Sequence, residues 1–303
     1  MNKTFSINLF YGLTRLFIVC LLSLAGLASA DESSTNTAES LRAKYAELGP
    51  QLSNNPFKRP LYLVSTELPG QLKGDIYARI DYPFSSVKNE LIDPNHWCDV
   101  LILHLNTKYC RASINSSRSI LTVSIGKKTF QSLDSASPVE FVFSVTTTAP
   151  DYFDVWLKAK KGPLGTSDYR IQLEAVSLPE NKTFLHLTYA YAYNFAGRLA
   201  MQAYLATIGS GKVGFTSTGK LSNGQPDYIG GIRGVVERNT MRYYLAIDAY
   251  LAELPTPPAD QFEKRLQHWF SSTELYPLQL HEIDRADYLD MKRREYLRQQ
   301  TPQ

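Results

Sequence analysis

The stretch Gly231-Ile-Arg-Gly-Val-Val-Glu-Arg-Asn-Thr-Met-Arg-Tyr-Tyr-Leu-Ala-Ile-Asp-Ala-Tyr-Leu-Ala-Glu-Leu254 decides the architecture. Ile232, Val236, Tyr243, Ile247, Tyr250 and Leu254 recur at helical spacing and share one face. Pro255, Pro257 and Pro258 end the helix, since proline lacks an amide proton and clashes with the preceding turn.

Upstream the pattern is that of strands. Leu61 to Thr66 and Gly74 to Asp81 read as strands; in the second, Ile76, Ala78 and Ile80 alternate with Tyr77, Arg79 and Asp81. Pro83 begins a helix with Val87, Leu91 and Ile92 on its apolar side, and Pro94 stops it. The unbroken apolar run Val100 to Leu105 reads as a strand. Further strands are Ser119–Gly126, Val139–Thr148, Tyr152–Lys160, Ser167–Leu178 and Thr183–Asn194, divided by Gly, Pro and Asn-rich turns as in an antiparallel meander. Phe195 to Thr207 reads as a helix, Val213 to Thr218 as a strand, and Leu221 to Gly231 as a loop. Two helices follow the prolines, Ala259 to Ser272 and Asp284 to Gln299. The second carries Arg285, Asp287, Asp290, Lys292, Arg293, Arg294, Glu295 and Arg298, and its interleaved signs read as a solvated face. The class is α+β.

The chain has 303 residues, 32 Lys+Arg against 29 Asp+Glu, and 44% hydrophobic residues. That balance excludes a disordered chain and argues against a nucleic-acid binder. Residues 1–30 read as a secretory signal: Lys3 and Arg15 are the only charges, an apolar run spans Leu16 to Leu27, and Ala28-Ser29-Ala30 forms the cleavage site. The run is short for a membrane span, although an uncleaved anchor is the competing reading. Cleavage after Ala30 leaves a nearly neutral chain, expected in the periplasm and not integral to the membrane. Residues 31–60 are polar and read mostly as linker, with a short helix at Ala38 to Leu48. Cys98 and Cys110, twelve positions apart, are a plausible disulfide in an oxidising compartment, against a reading as buried thiols. Nothing near them has metal-ligand spacing, and nothing in the chain calls for a cofactor.

No nucleophile elbow, zinc-protease motif or dinucleotide fingerprint is present, and Gly209-Ser-Gly-Lys212 reads as a turn. Asn239 falls inside the apolar stripe of the long helix. It faces either a ligand cavity or a backbone partner in the core. Arg238 and Arg242 lie one turn apart; they could hold a carboxylate or phosphate, although exposed Arg covering the helix flank is the ordinary reading. Arg233 and Glu237 are spaced to pair on the surface. His104 and His186 each stand between two Leu residues. If those Leu face outward the His residues line the interior; if not, they face solvent. Tyr189, Tyr191 and Tyr193 share one strand face and, with Trp97, Trp156 and Tyr169, suit either an amphipathic pocket or plain sheet packing.

The order strand, helix, antiparallel strands, long helix resembles the START-like helix-grip superfamily of lipid-transfer domains and polyketide cyclases. Gly74-Asp-Ile-Tyr-Ala-Arg-Ile-Asp-Tyr-Pro-Phe looks like its first strand running into a helix. Asp168-Tyr-Arg-Ile-Gln-Leu-Glu-Ala-Val-Ser-Leu and Thr183-Phe-Leu-His-Leu-Thr-Tyr look like late strands. The segments Trp97-Cys-Asp99, Gly162-Pro-Leu-Gly-Thr166 and Glu237-Arg-Asn-Thr-Met-Arg-Tyr-Tyr244 resemble those of uncharacterised exported proteobacterial proteins, a likeness that supplies no activity. The resemblance covers residues 61–254 and implies an antiparallel sheet wrapped around the long helix, with a cavity between them. Residues 255–303 are a helical extension.

The candidate cavity lining is then Asn239, Tyr243, Arg242, His104, His186, Trp156, Tyr169, Tyr189 and Tyr191. The function so implied is binding or carriage of a hydrophobic small molecule or lipid. The alternatives are a cyclase- or hydrolase-type enzyme using His104 or His186 as acid/base, and a cell-envelope protein docking a partner through its C-terminal helices.

Overall fold

A computed structural model describes residues 37–301 apart from 117 and 208; the expected signal sequence lies outside the described residues. Eight strands form one antiparallel sheet: β1 (Leu61–Leu68), β2 (Gln71–Ile80), β3 (Thr107–Ile114), β4 (Ser119–Ile125), β5 (Ser137–Thr148), β6 (Tyr152–Lys161), β7 (Thr166–Leu178) and β8 (Lys182–Tyr193). Their spatial order is β1-β2-β8-β7-β6-β5-β4-β3, so the closing β2–β8 pair joins the first hairpin to the last strand. The period-2 alternation does what the sequence implies. Leu63, Ile76, Leu157, Ile171, Leu173, Leu185 and Leu187 all face one side and enter the main core.

Helices α1 (Ala38–Glu47) and α2 (Gly49–Ser53) precede the sheet, while α3 (Phe84–Leu91) and α4 (Pro94–Leu101) cross between β2 and β3. Beyond β8 come α5 (Phe195–Ala206), a two-stranded ribbon of β9 (Ser217–Lys220) and β10 (Pro226–Tyr228), and α6 (Gly231–Ala252). The last three helices are α7 (Pro258–Thr273), α8 (Pro277–Leu280) and α9 (Arg285–Gln300). The long helix α6 lies on β1, β2 and β8, and α4, α5, α7 and α8 close around it. This is a helix-grip arrangement, an antiparallel sheet against one long helix, with added helices at the C-terminus.

One glycine sets the approach of helix to sheet. A Cβ at Gly74 in β2 would collide with Thr240 Oγ1 of α6. Thr240 itself is fully buried and donates back to the Val236 carbonyl at 2.8 Å, so it cannot give way without losing a bond.

Four expectations need correction. The apolar run from Val100 to Leu105 is not a strand: Val100 and Leu101 end α4, and residues 102–106 are turn. Helix α3 does end before Pro94, but Asp93 accepts from the Asn95 amide at 2.8 Å, so Asp93-Pro94 also begins a new helix. The end of α4 and the turn after it are buried between β3 and α6, and periodicity cannot separate so short a buried apolar run from a strand. The strand in that region is β3, whose alternation is hidden by the fully buried Lys108. The helix expected at Ala38 to Leu48 is present as α1, but the stretch read otherwise as linker also holds α2, and together they place Leu41, Leu48 and Leu52 against Tyr152, Val176 and Phe184 on the outer face of the sheet.

The fourth correction concerns α9, read as a solvated face. Tyr288, Met291, Lys292 and Glu295 are buried. Glu295 bridges two ammonium groups, Lys108 at 2.9 Å and Lys292 at 2.7 Å, all without exposed side-chain surface. Lys292 also donates to the His104 and Thr107 carbonyls, and Lys108 to those of Leu105 and Thr129. Three of these carbonyls lie where the turn after α4 enters β3, and that of Thr129 lies in the loop after β4, so the two ammonium groups tie these segments to α9.

The Cys98–Cys110 disulfide joins α4 to β3 across a Cα separation of 5.2 Å. Two stability outcomes follow from these contacts. Gly74→Val is expected to destabilise by about 1–3 kcal/mol or more through overpacking, measured by urea unfolding. Glu295→Ala strands two buried ammonium groups and is expected to cost about 3–5 kcal/mol in the same assay.

Candidate functional site

The two faces of the sheet divide the predicted site residues. Trp156 and His186 lie on the outer face, away from α6, because their neighbours Val155, Leu157, Leu185 and Leu187 face the core. Neither lines a space beneath the helix. Trp156 donates its indole N–H to Asp154 at 2.8 Å and carries Lys158 over its ring. His186 is neither interior nor solvated. Its Nδ1 is 2.7 Å from Glu174 and its Nε2 is 2.9 Å from Asp75, while Tyr77 stacks on the ring at 4.0 Å. Burial alone would push this imidazole down; the two carboxylates outweigh it and raise it above 6.5. Burial likewise opposes ionisation of Asp75, but its bond to His186 holds it below the usual carboxylate range.

The inner face carries the rest. Tyr169, Tyr189 and Tyr191 form a wall: Tyr169 stacks on Tyr191 at 5.2 Å, and Tyr189 lies 5.5 Å from Tyr191. Tyr243 of α6 meets Tyr189 at 5.1 Å and stacks on His104 at 4.7 Å. His104 sits in the turn after α4 and is buried. Its Nδ1 accepts the Asn106 amide at 3.1 Å, so the neutral ring carries its proton on Nε2. That buried Nε2 has no partner. Burial, and then the nearby Arg242, Lys292, Lys128 and Lys108 cations, push its pKa well below the ordinary value.

Helix α6 is enclosed along most of its length, with one departure. Ile232, Val235, Asn239 and Tyr243 keep partly accessible surface, and their spacing puts them on one stripe. Tyr243 does so although burial raises its phenol pKa strongly. The stripe starts at a cleft of about 890 Å³ lined by Pro69, Tyr193, Arg198, Leu205, Ile232 and Arg233. It ends at Tyr243 and His104. Helix α5 lies across it against β8 and α6; Met201 Sδ accepts from the Tyr191 hydroxyl at 3.7 Å.

The charged residues of α6 overturn two sequence expectations. Arg238 and Arg242 are buried instead of exposed. Glu237 does not pair with Arg233 on the surface; it is fully buried and accepts from Ser65, the Phe215 and Thr216 amides and the Thr216 hydroxyl. Arg242 donates to Asn239 Oδ1 at 3.2 Å and pairs with Glu282 at 2.6 Å. Lys128 shares the same Glu282 oxygen at 2.5 Å and donates to the Tyr204 hydroxyl of α5 at 2.7 Å. Burial and the Arg242 guanidinium push Lys128 down to about 7 against the pull of Glu282. Sequence reasoning missed Lys128, Tyr204 and Glu282. They lie on a loop, a helix and a tail far apart in the chain, and no local pattern marks them.

No protein-family model matches the chain, and no curated protein matches it. Solved structures do. A conserved protein from Geobacillus kaustophilus is similar at 12% identity and a TM-score of 0.34, over 59% of this chain and 95% of that one. Human StAR-related lipid transfer protein 5 is similar at 11% identity and a TM-score of 0.31, over 56% and 89%. Norcoclaurine synthase from Thalictrum flavum is similar at 10% identity and a TM-score of 0.30, over 50% and 79%. At these values no residue's role transfers; the fold assignment rests on strand order and helix placement.

The outer-face triad has a pH signature. The His186 contribution is complete below pH 6.5 and is lost as pH rises through its raised folded value; that of Asp75 is lost as pH falls below 3.8. His186→Gln is therefore expected to lower unfolding free energy more at pH 6 than at pH 9. Equal losses at both pH values in urea titrations would contradict a charged His186.

Proposed function

We propose that this protein binds or carries a hydrophobic small molecule, lipids included, in the space between the sheet and α6 beneath α5. One observation carries the reading: the accessible stripe Ile232–Val235–Asn239–Tyr243 on an otherwise enclosed helix, running from an open cleft to an unpartnered His104 Nε2. A buried donor without a partner costs about 1–3 kcal/mol, and a ligand acceptor would remove that cost. The wall opposite is aromatic with a few polar groups, the composition of small-molecule pockets. Tyr169, Tyr189, Tyr191, Tyr243, Asn239, Arg242 and His104 are the lining residues in this reading.

The site favours binding over turnover. His104 is held neutral, and among the described residues no carboxylate or nucleophile bonds to its Nε2, so an acid/base role lacks its partner. The reading includes export to the periplasm, supported by the signal pattern of residues 1–30 and by the Cys98–Cys110 disulfide. Among the described residues no helix is long and apolar enough to cross a membrane.

Native mass spectrometry of the exported protein is expected to show a stoichiometric adduct that organic extraction removes. Val235→Trp, which fills the stripe, is expected to abolish the adduct and weaken displacement of a naphthylamine probe by about tenfold or more with the melting temperature retained. A clean apo mass after incubation with envelope lipid extract would count against the reading.

A further inference from the structure

A buried guanidinium cannot shed its charge, so it needs an anion close by. Arg59 has Asp248 at 2.5 Å, Arg242 has Glu282, and Arg265 has Asp99 at 3.4 Å. Arg238 is 1% exposed, and among the described residues no carboxylate pairs with it. Its recorded bond is Nη1 to the Val213 carbonyl at 3.1 Å, and its buried Nε has no partner. It stands close enough to Tyr191, Lys128 and Arg242 for its charge to bear on all three. Arg242 and Lys128 share the single carboxylate of Glu282, which Lys212 also approaches, while Arg238 stands beside both cations with no carboxylate of its own, leaving an excess of positive charge beside the aromatic wall.

Resting on the binding reading above, we propose that the ligand is an amphipath with an anionic oxygen headgroup, a carboxylate or phosphate, and that Arg238 receives that headgroup beside Lys128 and Arg242. The apolar body then runs along Tyr191, Tyr189 and Tyr243. Tyr204, bonded to Lys128 from α5, ties the cap over the site to the charge beneath it. The neutral imidazole of His104, at the other end of the stripe, offers a single N–H donor and no charge.

The test is isothermal titration of the mature protein with dodecanoate, dodecyl phosphate, dodecanol and inorganic phosphate. The wild type is expected to bind one or both dodecyl anions about tenfold or more tighter than dodecanol, the scale of one charge-assisted pair. Arg238→Gln is expected to erase that preference and leave dodecanol binding unchanged, and Arg238→Lys to restore part of it. Dodecanol binding the wild type as tightly as the anions would overturn the headgroup site and leave the apolar-binding reading standing. Inorganic phosphate binding as tightly as dodecyl phosphate would also overturn it, since the chain would then add nothing. Failure of all the dodecyl ligands to bind the wild type would remove the binding reading itself. Because the wild-type comparison decides these cases, the inference stays testable even if Arg238→Gln does not fold.

Discussion

The enclosure of α6 governs the rest of the molecule. A helix covered on nearly every side must have each of its charged groups satisfied from outside, because an unpaired buried charge costs several kcal/mol. Most charged groups on α6, Arg238 excepted, therefore fix the course of another segment. Glu237 draws in β1 through Ser65 and the loop at 215–216 through two backbone amides. Asp248 holds Arg59 ahead of β1, and Arg242 holds Glu282 after α8. Thr240 rests on the bare backbone of Gly74. The N-terminal approach, the insertion and the C-terminal helices are all tied to the one helix that the sheet grips.

The candidate site occupies the stretch where that enclosure is incomplete. On the outer face of the sheet, polar groups close on one another: Asp75, His186, Glu174 and Tyr152 form one chain of bonds, and Asp154, Gln172 and Trp156 another. On the inner face the buried donors His104 Nε2, Arg238 Nε and Arg242 Nε stay open beside the tyrosine wall, while on the outer face Arg79 Nε is also without a partner. Satisfied polar clusters rigidify a fold, whereas open donors mark where a further molecule would complete the bonding. The open donors beside the tyrosine wall support the proposal of a ligand inside the grip.

Much of the fold is legible in sequence. The strands from Ser119 to Asn194, the helix at Phe195 and the grip helix follow from their length, their apolar spacing and the Gly, Pro and Asn that punctuate them. The reading fails where both sides are covered. The run at Val100 to Leu105 spans the buried end of α4 and the turn after it and so carries no strand or helix period, and β3 lost its alternation to a buried Lys108. The candidate site was legible only in part. Asn239 and the tyrosines on β8 can be placed on a face by counting, but Lys128, Tyr204 and Glu282 come from segments whose meeting no local spacing encodes.

Sequence by itself determined which residues share a face, where most strands and the long helix lie, and that two cysteines twelve positions apart can bond. Only the tertiary structure decided what covers each face. It buried Arg238, Arg242, Lys292 and Glu295, which by type belong in water, and it turned His186 and Trp156 away from α6. The reason is physical. Backbone geometry is set by neighbours along the chain, whereas burial and charge pairing are set by groups brought together from distant positions.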